Sequence, residues 1–312
     1  MLTVIGEAVI DLVRDPDGRF TAHPGGSPLN VAVGLARLGE RTHLLARFAK
    51  TGFGRTLRAH AEANQVDVAA AVIADEPATL AVVTLATDGS AEYDFYTEGT
   101  ADWQWTEAEL AHVPPDTQIL HAGSLACFLV PGADAVAGAM RSARARGGLV
   151  SFDPNIRASL LATAEETRAR VAQLVSSAHV VKASDEDLSW LYPGLTPAEV
   201  AHDWLDLGAG LVCVTLGPGG AFVARPGGDL HRPAPEVLVV DTVGAGDAFM
   251  AGLLSALVRA GVADPAALAR LEPPAVETIV DEAIAAAALT CTRAGANPPT
   301  RAELDEWLSA TG

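Results

Sequence analysis

The chain has 312 residues, 49% of them apolar, and a net charge of −18. That length and apolar content allow one large core or two modest ones. The acidity argues against a nucleic-acid duplex or an anionic membrane surface as partner, because like charges repel within a Debye length, and an anionic substrate would need a local positive site.

The chain opens with an apolar strand, "LTVIGEAVI" at 2–10, which has no basic lead and carries Glu7, so it does not read as a secretory signal. "DLVRDPDGRFTAHPGG" (11–26) alternates apolar with polar residues around a "DPDG" turn, the pattern of an antiparallel hairpin. A helix (28–39), the strand "THLLARF" (42–48) and a second helix (52–64) follow. "ATLAVVTLATDGSAEYDFYTEG" (78–99) reads as another hairpin, around "TDGS". The two hairpin regions, at about 11–24 and 84–103, suggest one small lid sheet over an end of the main sheet. Two unrelated surface hairpins would give the same pattern.

From residue 118 onward, strands at 118–124, 147–155, 178–184 and 211–217 alternate with helices at 131–147, 163–177, 196–208, 245–261 and 276–293. That alternation predicts βαβ units with a parallel sheet, in a single α/β domain. No apolar run approaches the ~20 residues of a bilayer span. Cys127, Cys213 and Cys291 share no metal-ligand spacing and read as buried, reduced thiols of a cytoplasmic protein. Aromatic residues, at 5%, give little support to base-stacking platforms.

"DTVGAGDAFMAG" (241–252) places Asp247 behind a Gly-bearing turn that opens a helix, where unpaired amides attract anions. Read alone, Asp247 could be a helix cap. The only lysines, Lys50 and Lys182, do not follow a Gly-rich loop in P-loop order, and no dinucleotide GxGxxG follows the first strand. "HPGGSPLNVAVG" (23–34) offers paired glycines and Asn30, suited to a polyol, with Asp11 as a further acceptor; a turn with a solvated Asn30 is the plain alternative.

Together these segments resemble the two signatures of the ribokinase-like (PfkB) carbohydrate kinases. "GEAVIDL", "HAGSL", "FDPNIR", "VKASDEDL", "VTLGPGG" and "CTRAGA" fall in the family's order along nearly the whole chain. The resemblance implies a three-layer α/β/α sandwich with a mainly parallel central sheet and a small antiparallel β lid, and ATP-dependent phosphorylation of a sugar hydroxyl. It implies Asp247 as base and Gly244, Ala245 and Gly246 as the anion hole. Asp11, Gly25, Gly26, Asn30 and, beside Asn155, Arg157 map to the sugar side; Ser184, Thr215, Gly217 and Gly220 map to the nucleotide. The family's Asn-x-x-Glu, which organises the water around Mg²⁺, reads "SDED" here, leaving Ser184 and Asp187, with Glu186 in competition. Asp241, Val243, Thr290, Arg293 and Gly295 match a monovalent cation site, expected to take K⁺. "GSLACFLVPGADAV" and "YTEGTADWQW" look most like bacterial fructokinases, with 2-keto-3-deoxygluconate kinases close behind; ribokinases and nucleoside kinases share the scaffold, and a non-catalytic sensor is the alternative of another class. The lid contributes Arg14, Arg19, Tyr93, Phe95, Tyr96 and Trp103, and homodimerisation through it is expected because an exposed sheet face and edge call for cover.

Overall fold

The computed structural model describes residues 1–15, 17–85 and 91–311. The "TDGS" turn and Pro16 of the "DPDG" turn lie outside the described residues, as does the Tyr93 side chain. In chain order the strands are β1 (Leu2–Ile5), β2 (Val9–Arg14), β3 (Phe20–Gly25), β4 (Thr42–Leu45), β5 (Arg47–Ala49), β6 (Val72–Ala74), β7 (Leu80–Leu85), β8 (Ala91–Tyr96), β9 (Ile119–Gly123), β10 (Leu149–Asp153), β11 (Val180–Ser184), β12 (Leu211–Thr215), β13 (Ala221–Arg225) and β14 (Gly228–Arg232).

The large sheet has the order β14-β13-β12-β11-β10-β9-β1-β4. It is parallel from β12 to β4, and β13 and β14 extend it antiparallel at one edge. Its inner parallel strands β9 to β12 are buried, mostly apolar runs because both faces are covered, whereas the edge strand β14 is largely exposed. Val4, Ile119, Leu149, Val180 and Cys213 face a layer that includes Leu29, Phe249, Leu253 and Val280, from helices Ser27–Arg37, Ala245–Arg259 and Pro273–Cys291. Ile5, Leu120, Val150, Phe152 and Val214 face the opposite layer, with Val136, Met140, Val171 and Trp204 from helices Ala133–Ala145, Ala164–Val175 and Pro197–Asp206. The result is the three-layer sandwich that the resemblance implied.

A second, small sheet has the order β3-β2-β7-β8. Each expected hairpin is antiparallel, and the two join through a parallel pairing of β2 with β7. β5 and β6 form a further parallel pair.

Two predicted strands prove to be four. Residues 2–10 divide into β1 in the large sheet and β2 in the small one, and residues 42–48 divide into β4 and β5. Apolar patterning cannot register such a change of sheet, because Ile5 and Ile10 are equally buried on either side of it. The β13–β14 hairpin and the helix Arg301–Thr311 were not predicted. In the large sheet β1 connects to β4 on one side and lies beside β9 on the other, so the strand order reverses between β1 and β9. Crevices at the carboxyl ends of strands near such a switch point are where open α/β sheets bind ligands.

Candidate active site

Gly244 precedes the helix Ala245–Arg259 with φ 76°, and a Cβ there would stand 2.6 Å from the Cβ of Ala296, so the turn requires glycine. Asp247, in the first turn of that helix, is buried and does not act as its cap. Its Oδ1 accepts the Ser27 hydroxyl at 2.6 Å and its Oδ2 accepts Asn30 Nδ2 at 2.8 Å. Both donors belong to the start of the helix Ser27–Arg37, so the two signature segments converge on one carboxylate.

Among the described residues, the Gly244 and Gly246 amides meet no protein acceptor, whereas the Ala245 amide reaches Thr242 O at 3.2 Å. Of the three amides expected to be open, Ala245's is therefore engaged in the turn itself. Beneath the turn lies Lys182, buried in the middle of β11, with Nζ 2.9 Å from Asp153 Oδ2 and 2.9 Å from where a Cβ on Gly246 would stand. Burial pulls its pKa down, but Asp153, Asp187 and Asp247 outweigh burial and raise it, so Lys182 stays protonated. This is the local positive charge that an acidic chain needs, and sequence reasoning weighed Lys182 only as a P-loop lysine.

A cavity of about 970 Å³ runs from the small sheet past Asp247 to the edge of the large sheet. On the small-sheet side, Asp11, Gly26, Asn30, Asn155 and Arg157 line it. Asp11 stands opposite His23 and Ala81 in register, and Ala81 stands opposite the lining residue Phe95. Burial pushes the Asp11 carboxyl up to about 6, with Asp247 adding to the rise and His23 and Arg157 opposing it. Gly25 does not line the cavity, but a Cβ there would come 2.1 Å from Asp11 Oδ2, so its bareness makes room for that carboxylate. Exposed Arg157 donates Nη1 to Asn155 Oδ1 at 2.8 Å. Glu7, Ser27, Thr79 and Ser124 also line this end and were missed as site residues. Trp103 is buried in a cluster with Leu125 and Ala126, whereas Tyr96 is exposed, so neither lines the cavity.

The far end is lined by Thr215, Gly217 and Gly220, the apolar side chains of Ile284, Ala287 and Ala288, and the segment 234–239. Thr215 Oγ1 donates to Ala183 O at 3.4 Å. Ser184 and Asp187 form a reciprocal cap of the helix Asp185–Leu191, and the Asp187 oxygens accept the amides of Ser184 and Ile156. Asp187 thus ties β11 to the "DPN" loop, and Glu186 is the exposed carboxylate on this stretch of the cavity wall. Among the described residues no group of three His, Cys, Asp or Glu could hold a metal directly. The structure also brings the expected monovalent-cation positions together: Asp241 accepts the amides of Val243 and Gly295, and Thr290 O accepts the Arg293 amide. Only Val243 of these lines the cavity. The Arg293 side chain pairs with Glu303.

Residues 1–303 match the model of the pfkB family carbohydrate kinases. A fructokinase from Rhizobium leguminosarum bv. trifolii is 36% identical over 82% of this chain and 79% of its own length. Among solved structures, a Xylella fastidiosa fructokinase with bound ATP superposes with a TM-score of 0.91 at 29% identity, over 99% of this chain and 98% of that one. A Vibrio cholerae fructokinase holding fructose, ADP and calcium superposes with a TM-score of 0.86 at 31% identity, over 98% of each chain. With both signature segments meeting at Asp247, and with a match that spans nearly the whole sequence, the chain belongs to the PfkB family of carbohydrate kinases and is a fructokinase-like sugar kinase.

Proposed function

We propose that this kinase transfers the terminal phosphoryl group of ATP to a hydroxyl of free fructose, with Asp247 as the base. The observation that carries this reading is the position of Asp247, between a pocket presenting Asp11, Asn30 and Arg157 and an amide-bearing turn seated on Lys182, all in one cavity. The carboxylate takes the hydroxyl proton as the oxygen attacks phosphorus. The Gly244 and Gly246 amides, the Asp247 amide and Lys182 offset charge on the phosphoryl oxygens. Phosphoryl transfer passes through a loose transition state, so this positioning and neutralisation supply most of the catalysis.

Fructose is favoured because the relatives described above are fructokinases and one holds fructose with ADP. Asp11 and Asn30 give a neutral polyol paired hydrogen-bonding groups. The nucleotide base fits the apolar end near Ile284 and Ala288, with Thr215, Gly217, Gly220 and Ser184 along ribose and phosphates. Mg²⁺ accompanying the nucleotide would supply positive charge that offsets the charge of its phosphates. The residues fit an ion bridged by water, held from Glu186, Asp187 and Ser184, since Asp187 already accepts two amides. Carbonyls at Val243, Thr290, Arg293 and Gly295, with Asp241, are the proposed K⁺ donors. The small sheet would pair with its counterpart in a homodimer, covering Val13 and Phe20, which are 40% and 50% exposed. Light scattering at micromolar concentration should then give twice the monomer mass; a monomer overturns the pairing. Buried Cys127 and Cys213 suit a cytoplasmic enzyme.

The deciding experiment measures ADP release with fructose, ribose, 2-keto-3-deoxygluconate, adenosine and glucose. Fructose should give the highest kcat/KM. A preference for another acceptor would reassign the substrate, and no turnover with any would make the protein a sensor. Asp247→Asn should fold normally by circular dichroism and lose about 10²- to 10⁴-fold in turnover.

A further inference from the structure

We infer that Ser27 is a positioning residue for phosphoryl transfer, holding the Asp247 carboxylate so that its Oδ2 edge meets the acceptor hydroxyl; this rests on Asp247 being the base.

Three observations carry the inference. First, Ser27 does not serve its own helix. A serine at a helix start ordinarily caps an amide of the first turn, but here Gly26 is the N-cap, no side chain caps the helix, and Ser27 already lies inside it. Its hydroxyl is spent instead on Asp247 Oδ1, 220 residues away in sequence. Second, the two bonds to Asp247 differ in setting. Both side chains line the cavity, but the Ser27 bond to Oδ1 is buried, whereas Asn30, which holds Oδ2, is half-buried and the more open of the two. An acceptor hydroxyl entering from the small-sheet side therefore meets Oδ2, and the amide oxygen of Asn30 remains to receive a second hydroxyl. Third, the Ser27 backbone is pinned. Gly26 adopts φ 101°, a Cβ there would stand 2.8 Å from Glu7 O, and Pro28 follows at a position where its missing amide costs the helix nothing. Donors on both oxygens set the carboxylate plane, and a carboxylate held by Asn30 alone would keep freedom about its terminal torsion, which is broad.

The test is a double-mutant cycle on the whole protein, using the acceptor sugar that gives turnover. Ser27→Ala should lower kcat about 10- to 100-fold, the cost of a misplaced reacting group, while KM for sugar and for ATP stay within about threefold, as for an interaction made mainly in the transition state. Ser27→Thr retains the hydroxyl and should restore most of kcat. In an Asp247→Asn background, Ser27→Ala should cost nothing further, because residues that act as one unit are not additive. Three results would overturn the inference: a kcat within about twofold of wild type in Ser27→Ala, a loss confined to KM, or an undiminished Ser27→Ala effect in the Asp247→Asn background. Near-normal turnover in Asp247→Asn alone would refute the base assignment itself, which keeps the two failures distinguishable.

Discussion

Asp11 reaches the cavity from β2 while Asp247 reaches it from the helix after Gly244, and the Asp247 charge adds to the burial that opposes ionisation of Asp11. Burial raises Asp11 to about 6, so below that pH it becomes a neutral acid and would lose acceptor capacity for the sugar hydroxyls it is proposed to hold. KM for the sugar should therefore rise as pH falls from 7.5 through 6, with KM for ATP less affected. Asp11→Asn should abolish that pH dependence and raise KM about tenfold or more, the worth of a charge-assisted hydrogen bond. A wild-type sugar KM that stays flat from pH 7.5 to 5.5 would remove Asp11 from the sugar contacts. At this scale the sequence was informative wherever chemistry is written in a local spacing: Asp247 behind its turn, Asn30 behind its glycines, Asp11 after the first strand. Ser27, Lys182 and Glu7 were illegible as site residues because their roles come from contacts across the fold. Ser27 meets a residue 220 positions away, and Lys182 becomes the charge beneath the turn only once β11 and the helix after Gly244 are packed together. The "SDED" spacing likewise does not show that Asp187 Oδ1 accepts the Ile156 amide and Oδ2 the Ser184 amide, which leaves each oxygen with acceptor capacity only toward a bridging water.

Between β1 and β2 the chain leaves the large sheet for the small one, and Glu7 sits buried at that crossing, its Oε2 accepting the Ala126 amide at 3.2 Å. Burial pushes its carboxyl up to about 7, against hydrogen bonds from Ser124 and the backbone that work to lower it. Its ordinary value is 4.5, so between pH 4.5 and 7 the folded protein retains a proton that the unfolded chain releases. Stability from Glu7 is thus fully present below pH 4.5 and is lost as pH rises to about 7, by an amount on the order of 3 kcal/mol. Glu7→Gln keeps an acceptor and has no proton to lose. The difference in denaturant midpoint, variant minus wild type, should grow in the variant's favour from pH 5 to pH 8, and a constant difference would show that Glu7 ionises freely in the fold. The crossing also marks the limit of reading elements from pattern. Helices with a clear apolar stripe and a capping box, such as Ala164–Val175 and Pro197–Asp206, were legible almost to the residue. The change of sheet after Ile5 was not, because sheet membership depends on which strand lies alongside, and burial alternation is silent on that.

Across the whole molecule, 39 acidic side chains against 21 basic ones surround a site that, on the function proposed, admits an anionic nucleotide and a neutral sugar. Lys182 offsets charge only at contact range, because it is buried and paired with Asp153. At longer range the net charge of −18 repels the nucleotide, and the reach of that repulsion is the Debye length. That length shrinks from about 30 Å at 10 mM salt to about 8 Å at 150 mM. Raising ionic strength over this interval should lower KM for ATP on the order of two- to fivefold, since added salt screens like-charge approach. KM for the sugar should not move, because an uncharged ligand does not feel the field. Tetramethylammonium chloride at saturating Mg²⁺ and fixed K⁺ separates this screening from any occupancy of the positions around Asp241. A KM for ATP that instead climbs with salt would mean that Lys182 and Arg157 dominate the approach path, and that the acidic surface lies too far from the cavity mouth to matter.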